Sequence, residues 1–389
     1  MIDTLKKSAH LKLGLLSHGV DVSREPTDLG RETKEEYRAL FDARLLQVQN
    51  PNLPPEIVLP GEIVAKTVFR PDSPYVISYS PSGLELRAKS SGEVLSQVAF
   101  PPRPKFYDLF TSDGVSMRQI AQVLGLDTLG IIINAYCSRA DSDKICRVCN
   151  INSNNRKEKD TVRPMHQIEE AVRAAWNERA FSLINLTGGT FKEPENEFLA
   201  YLNVASMIRK VMGVPRLPGV TSFNPPTVEM TRKYASELKD ANFELVTYNL
   251  EAWDKDTLRE LFPGKHDLGG RDFYIESAKE SMRILGRGHV GIILMVGVWE
   301  KPESIMEGCR AIAKEGILPI PVVFHSGRGM KYDNPAHATV EDLLRIYRDI
   351  HSIYQKYQLV PSTRDRAAGS EKSFRNSLIN EAYLGYLNK

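Results

Sequence analysis

The chain has 389 residues, 42% of them hydrophobic and 26% charged, a composition long and apolar enough to bury a substantial core and one that excludes disorder as the default state. Lys and Arg number 51 against 49 Asp and Glu, a net charge of +2. That balance is too even for a nucleic-acid coat or a polybasic membrane anchor, so the expected partner is a small molecule, with neither nucleic acid nor membrane. The longest apolar run, over 290–299, has about half the residues of a membrane span, and the N-terminus lacks an apolar leader and carries Asp3, which together predict a cytoplasmic location.

Residues 1 to about 110 are broken by Pro51, Pro54, Pro55, Pro60, Pro71, Pro74 and Pro81, the mark of hairpins and loops. A helix is expected over 32–46, where helix formers run with apolar positions three and four apart. Strands are expected over 63–69, 75–79 and 84–89, the last alternating apolar with polar residues as a half-buried strand does. A small β-rich region should therefore stand at the N-terminal end.

From about residue 126 the rhythm becomes strand, loop, helix. Buried strands are expected over 129–133, 180–186, 218–223, 243–248, 290–298 and 318–324, and helices over 167–176, 197–212, 227–241, 272–285 and 302–314. Strict alternation implies a parallel α/β sheet, and six units suit either a doubly wound sheet or a partial TIM-type barrel. Both architectures put chemistry at the C-terminal ends of the strands. Helical patterns over 340–357 and 372–387, separated by a loop over 360–369, form a C-terminal cap or lid. The run Gly286-Arg-Gly288-His-Val-Gly291 fits a dinucleotide-binding pattern, but it follows a helix and leads into a strand, the reverse of the required order, so a helix end and turn are expected there.

Four cysteines are too few for a disulfide scaffold, and three of them, Cys137, Cys146 and Cys149, fall within thirteen consecutive positions just after the first strand of the parallel series. Three thiolates on one loop can hold three irons of a 4Fe-4S cluster and leave the fourth open to substrate or cofactor, which points to catalysis rather than electron storage. The alternative is a three-cysteine zinc site completed by a histidine, with His166 the nearest downstream candidate. The next strand ends in Gly188-Gly189-Thr190, where paired glycines either admit a ligand close to the backbone or simply make a turn. Strand four ends in Glu251, placed to accept ribose hydroxyls or pair with an amino group, or else a solvated surface carboxylate. Strand five ends in Gly297 and Val298, a small residue and an apolar edge suited to a flat base, and Phe324 at the end of strand six can stack on that base or belong to the core. His325 is a candidate acid or base, more often simply packed, Cys309 reads as a small buried apolar residue, and 154–160 as a solvated loop.

Taken together, these strand-end motifs resemble the radical S-adenosylmethionine superfamily, and most closely its biotin-synthase-like branch. The resemblance runs over roughly residues 126 to 345 and is carried by the cysteine loop, the Gly-Gly turn, Tyr248-Asn-Leu-Glu251, Phe262-Pro-Gly-Lys265, Tyr274-Ile-Glu-Ser-Ala-Lys279, Leu285-Gly-Arg287-Gly, and Val296-Gly with Pro302-Glu-Ser304. The preceding Pro104-Lys-Phe-Tyr107-Asp-Leu-Phe-Thr-Ser-Asp113-Gly114 also resembles the lead-in of uncharacterised members.

The resemblance implies a partial (β/α)6 TIM-type barrel over 126–345, an N-terminal α+β cap region over 1–125 and a C-terminal helical cap over 346–389. It implies that Cys137, Cys146 and Cys149 ligate a 4Fe-4S cluster whose open iron is chelated by S-adenosyl-L-methionine. Gly188, Gly189 and Thr190 would bind the methionine amino group and Glu251 the ribose or methionine moiety; Val148, Gly297 and Val298 would border the adenine, with Phe324 near the base. A small-molecule substrate and an electron donor such as flavodoxin or ferredoxin complete the expected partners, and the oligomeric state is left open. Two departures stand out: eight residues separate the first two cysteines where the family usually has three, and Val148 and Thr190 replace the usual aromatic before the third cysteine and the usual acid after the glycines. Sulfur insertion is disfavoured, because Cys309 alone cannot ligate an auxiliary cluster. The other readings are a zinc-dependent barrel hydrolase and a non-catalytic iron–sulfur binding or sensing protein.

Overall fold

The structure, a computed structural model, describes residues 2–22, 56–149, 151, 162–325, 338–360, 379, 382 and 384–387. The helix expected over 32–46, the loop over 154–160, nearly all of the loop over 360–369 and most of the final helical pattern lie outside the described residues.

Helix α1 (Ile2–His18) leads into β1 (Asp21–Val22), followed by β2 (Glu56–Leu59), β3 (Ile63–Lys66), β4 (Tyr75–Ser80), β5 (Gly83–Ala88) and β6 (Val94–Val98). β2 and β3 form an antiparallel hairpin, while β4, β5 and β6 form a meander that β1 joins in parallel. Period-two alternation puts Ile57, Leu59, Ile63, Ile77 and Leu86 into a core of their own, separate from the main one. α1 belongs to both: Leu15 lies in this small core, whereas Ala9, Leu13 and Leu16 enter the main core. The expected strand over 63–69 stops at Lys66, and Phe69 instead bridges Val20 at the end of α1.

A short helix α2 (Met117–Ile120) runs into β7 (Ala121–Leu124), which pairs antiparallel with β8 (Thr128–Ile132). The chain then alternates through α3 (Met165–Asn177), β9 (Leu183–Thr187), α4 (Pro194–Met212), β10 (Leu217–Ser222), α5 (Val228–Lys233), α6 (Ala235–Ala241) and β11 (Phe243–Glu251). It continues through α7 (Lys255–Leu261), α8 (Pro263–Asp267), α9 (Gly270–Leu285), β12 (Val290–Val296), α10 (Pro302–Lys314), β13 (Leu318–Val323) and α11 (Val340–Tyr357). The helix expected over 227–241 is broken at Tyr234, whose ring packs edge-on to Phe198 and whose hydroxyl donates to Glu195 on α4. The glycine run over 286–291 makes the turn between α9 and β12, with the Gly286 N–H closing on the Met282 carbonyl.

β8 to β13 lie side by side in chain order and all parallel, with β7 added antiparallel at one edge. An order without reversal has no switch point, and right-handed crossovers then place every connecting helix on the same face. The sheet is thus wound as a partial TIM-type barrel is wound, with β7 and β13 as its two unjoined edges. Ile131, Leu186, Tyr248, Ile292 and Leu294 point toward the helices and into the main core, and the Tyr248 and Ser281 hydroxyls meet there at 2.7 Å. The opposite face carries, by register, Ile132 beside Thr187, Ser222 beside Thr247, Asn249 beside Ile293 and Met295 beside Val322, all uncharged.

β13 contains Pro319 and Pro321, which lack an N–H and suit an edge strand. α11 covers that edge: the buried Tyr347 and Tyr354 hydroxyls donate to the Pro321 carbonyl at 2.9 Å and the Pro319 carbonyl at 2.6 Å. At the other end of α11, the Ser17 hydroxyl donates to the Ala338 carbonyl at 2.9 Å, tying α1 to it. Among the described residues no helix is long and apolar enough to cross a membrane. Tyr347→Phe and Tyr354→Phe should each lower stability by about 1 kcal/mol, read as a fall in the urea midpoint at constant slope.

Candidate active site

The cysteine loop leaves the C-terminal end of β8 and is clamped on two sides. On the first, the Ile133 N–H donates to the Thr187 carbonyl at 2.8 Å, the Gly189 N–H to the Asn134 carbonyl at 2.7 Å and the Ser138 N–H to the Thr190 carbonyl at 2.9 Å. The Ser138 hydroxyl adds a bond to the Phe191 carbonyl at 3.0 Å. A Cβ at Gly189 would stand 2.3 Å from the Tyr136 carbonyl oxygen and 2.7 Å from the Cys137 nitrogen, so only glycine lets the two backbones meet. Gly188 is also close against Asn134, where a Cβ would stand 2.9 Å from its nitrogen. The paired glycines are therefore explained first by the approach of the cysteine loop itself.

On the second side stand the end of α7 and α8. The Arg147 N–H donates to the Leu261 carbonyl at 2.8 Å, the Arg139 guanidinium to the Gly264 carbonyl at 2.7 Å, and the Gly264 N–H to the Lys144 carbonyl at 3.2 Å. A side chain at Gly264 would meet Arg139 at 2.4 Å. Between the clamps Cys137, Cys146 and Cys149 are half-buried, and Val148 points into the main core. Burial pushes the Cys146 thiol up and the Cys149 thiol up to about 12, and each is raised further by the charges of its neighbouring thiols. At Cys146, Lys265 and Arg139 oppose the rise and Glu251 adds to it.

Glu251 ends β11 at a bulge against β12 with φ of 77°. A non-glycine residue there costs roughly 1–3 kcal/mol and is held only by its surroundings. Its carboxylate, 6% exposed, takes the Lys265 ammonium on Oε1 at 2.7 Å, while Oε2 has no hydrogen-bond partner. The Asn249 side-chain oxygen, two residues earlier and on the interior face, is likewise without one. Lys265 is itself buried, donates also to the Asn249 carbonyl and stands 5.7 Å from the centre of the Phe262 ring. The site thus presents two buried acceptors to whatever enters the mouth of the barrel.

Thr190, at the position after the glycines, accepts on its hydroxyl from the Asn224 amide at 2.9 Å. The same amide donates to both oxygens of Glu197, which also accept the Asn224 N–H at 2.9 Å and the Phe191 N–H at 3.0 Å. Burial raises the Glu197 carboxyl above its ordinary range, and these donors and the nearby Arg139 oppose the rise. Sequence reasoning passed over Glu197, although it falls on the apolar stripe of α4 with Tyr201, Ala205 and Ile208 at helical spacing, and an acid in such a stripe signals a buried role.

The remaining expected residues lie across the mouth, four and five strands from β8. Gly297 is half-buried at the end of β12, whereas Val298 and Phe324 are packed into the main core. The Phe324 N–H donates to the Val296 carbonyl at 2.9 Å, which fixes the two strand ends together. His325 is buried beside it, and Cys309 is wholly buried within α10. His166 is occupied elsewhere, with Nε2 3.0 Å from Asp113. Among the described residues no three His, Cys, Asp or Glu side chains are gathered closely enough to hold one metal ion. A multi-iron cluster asks for less convergence, because each thiolate takes its own iron.

Two consequences are measurable on metal-free protein. With its thiol near 12, Cys149 holds a thiolate fraction on the order of 10⁻⁴ at pH 8, so alkylation should be at least about 100-fold slower than for a free thiol and rise about tenfold per pH unit. Glu197→Ala should cost roughly 1–3 kcal/mol in urea unfolding, because buried donors lose their acceptor, and Glu197→Gln should cost less.

No protein-family model matches this chain, and no curated protein does. Among solved structures it is similar to methylornithine synthase (PylB), with a TM-score of 0.45 and 14% identity over 63% of this chain and 71% of that one. It is similar also to Streptococcus suis SuiB bound to S-adenosylmethionine, with a TM-score of 0.42 and 17% identity over 60% of this chain and 48% of that one, so it spans about half of SuiB. A third likeness is to QR15, an aldolase, with a TM-score of 0.28 and 13% identity over 58% of this chain and 91% of that one.

Proposed function

We propose that this chain is a radical S-adenosylmethionine enzyme of the biotin-synthase-like branch that acts on a small molecule. The observation that carries the proposal is the three-cysteine loop, clamped between the Gly-Gly turn and residues 261–265 at the mouth of a singly wound sheet, beside a buried Glu251 with one oxygen unpaired. The donor chemistry fits the group: Cys137, Cys146 and Cys149 are free, half-buried thiols on one loop and would hold three irons of a 4Fe-4S cluster. When bound, the reduced cluster would supply one electron to the sulfonium of S-adenosylmethionine, whose bond to C5' would break to leave methionine and a 5'-deoxyadenosyl radical able to remove a hydrogen atom from substrate.

The chain's own residues bind, orient and exclude water. Glu251 Oε2 would accept from a ribose hydroxyl or the amino group, and the turn at Gly188, Gly189 and Thr190 would lie along the methionine. Val148, Gly297, Val298 and Phe324 would border the adenine. The interior face, polar at Asn185, Thr187, Ser222, Thr247 and Asn249 and apolar at Val220, Leu245, Ile293, Met295 and Val322, supports a neutral substrate with both characters. Residues 1–125 and 346–389 would cap the barrel, and an external donor of the flavodoxin or ferredoxin kind would supply the electron. Because Cys309 is sealed inside α10, it supports no second cluster, which disfavours sulfur insertion.

Anaerobic purification with iron and sulfide analysis, then electron paramagnetic resonance of the dithionite-reduced protein with and without S-adenosylmethionine, tests the proposal. About four irons per chain, a signal that changes on adding the cofactor, and release of 5'-deoxyadenosine are expected. Cys137→Ala, Cys146→Ala and Cys149→Ala should each lose most of the iron, and Cys309→Ala should retain it. Zinc in place of iron, or a signal indifferent to the cofactor, refutes the assignment.

A further inference from the structure

Lys265 is the one buried cation beside the cysteine loop to which the chemistry above gives no role. It is 9% exposed on α8, and a buried ammonium is costly unless paired and hydrogen-bonded. Its partners are Glu251 Oε1 at 2.7 Å and the Asn249 carbonyl, both at the end of β11. Its backbone neighbours are bonded to the cysteine loop: Leu261 and Gly264 accept from Arg147 and Arg139, and Gly264 donates to Lys144. The residue before it, Gly264, is bonded to the cysteine loop in both directions, so α8 carries the ammonium from the loop to the end of β11. It therefore joins the helix that clamps the cysteine loop to the half-paired carboxylate at the end of β11.

A cluster core of charge 2+ held by three thiolates is a monoanion, and one electron from an external reductant makes it a dianion. A fixed cation in a low-dielectric wall favours the more negative state. The same cation holds one Glu251 oxygen and so leaves the other turned to a ligand.

We infer that Lys265 is a positioning residue that joins the two halves of the site: its ammonium offsets the charge of the reduced cluster and pins Glu251 so that Oε2 receives the S-adenosylmethionine hydroxyl or amine. The inference rests on the reading of the three cysteines as cluster ligands. It does not require Lys265 to exchange a proton.

The test uses the full chain, reconstituted anaerobically, as wild type, Lys265→Arg, Lys265→Met and the double variant Lys265→Met with Glu251→Gln. The double variant removes the unpaired buried carboxylate and so guards against a misfolded single variant. Iron content, the midpoint potential from dithionite titration followed by electron paramagnetic resonance, and S-adenosylmethionine affinity by equilibrium dialysis are measured on each. Lys265→Met should become harder to reduce and bind S-adenosylmethionine at least about tenfold more weakly. The double variant should shift in potential less than Lys265→Met, because it removes both charges. Lys265→Arg should restore both quantities toward wild type. Iron-loaded Met and double variants with the wild-type potential and affinity would overturn the role of Lys265 and leave the cluster reading standing. A wild-type chain that takes up no cluster would overturn both.

Discussion

The site depends on how closely the backbone of Tyr136 and Cys137 lies against Gly189. With a Cβ position only 2.3 Å from a carbonyl oxygen, the turn after β9 and the loop after β8 form one body. Backbone hydrogen bonds from Gly189 and Ser138 run across that contact, and those of Arg147 and Gly264 run across the opposite one. A thirteen-position loop would otherwise sample many arrangements, and ordering it costs about 1–2 kcal/mol per residue. Two clamps of hydrogen bonds, which form only because Gly188, Gly189 and Gly264 carry no side chain, offset that cost and hold the three thiols at the strand ends.

Around this body the chain accepts several electrostatic costs at once. Glu197, Glu251 and Lys265 are ionisable and buried, and Glu251 also holds a left-handed backbone conformation. Glu197 is fully satisfied and acts as a bracket, binding the Phe191 and Asn224 amides so that Thr190 stays at the loop. Glu251 is satisfied on one side only. Buried polar atoms are almost always paired, and Glu251 Oε2 and the nearby Asn249 side-chain oxygen are among the few described ones that are not.

The periphery serves the same end. α1 enters both cores and fastens the N-terminal sheet to the barrel, while α11 takes the exposed edge that the prolines of β13 cannot pair. The sheet ends in two strand edges, β7 and β13, and a long amphipathic helix, α11, covers the second.

The period-two and 3.6-residue patterns located all six parallel strands and their main helices, because burial of one face forces that periodicity whatever the partner. The ends of α10 and α11 coincide with those expected, whereas β11 runs three residues further than its pattern, to Glu251, since pairing through a bulge with β12 extends it. The cysteine spacing and the Gly-Gly turn were legible because both are contiguous in the chain. The partnership of Glu251 with Lys265, fourteen positions on, and the bracket of Glu197 and Asn224 were not, nor was the packing of Val298 into the core, whereas for Phe324 the core was one of the two readings left open. The sequence by itself determined the order of the elements and the chemical groups carried at each strand end. Only the tertiary structure decided the barrel-type winding and which of those groups meet, because strand order and side-chain approach are set by contacts between segments far apart in the chain, and local periodicity carries no record of them.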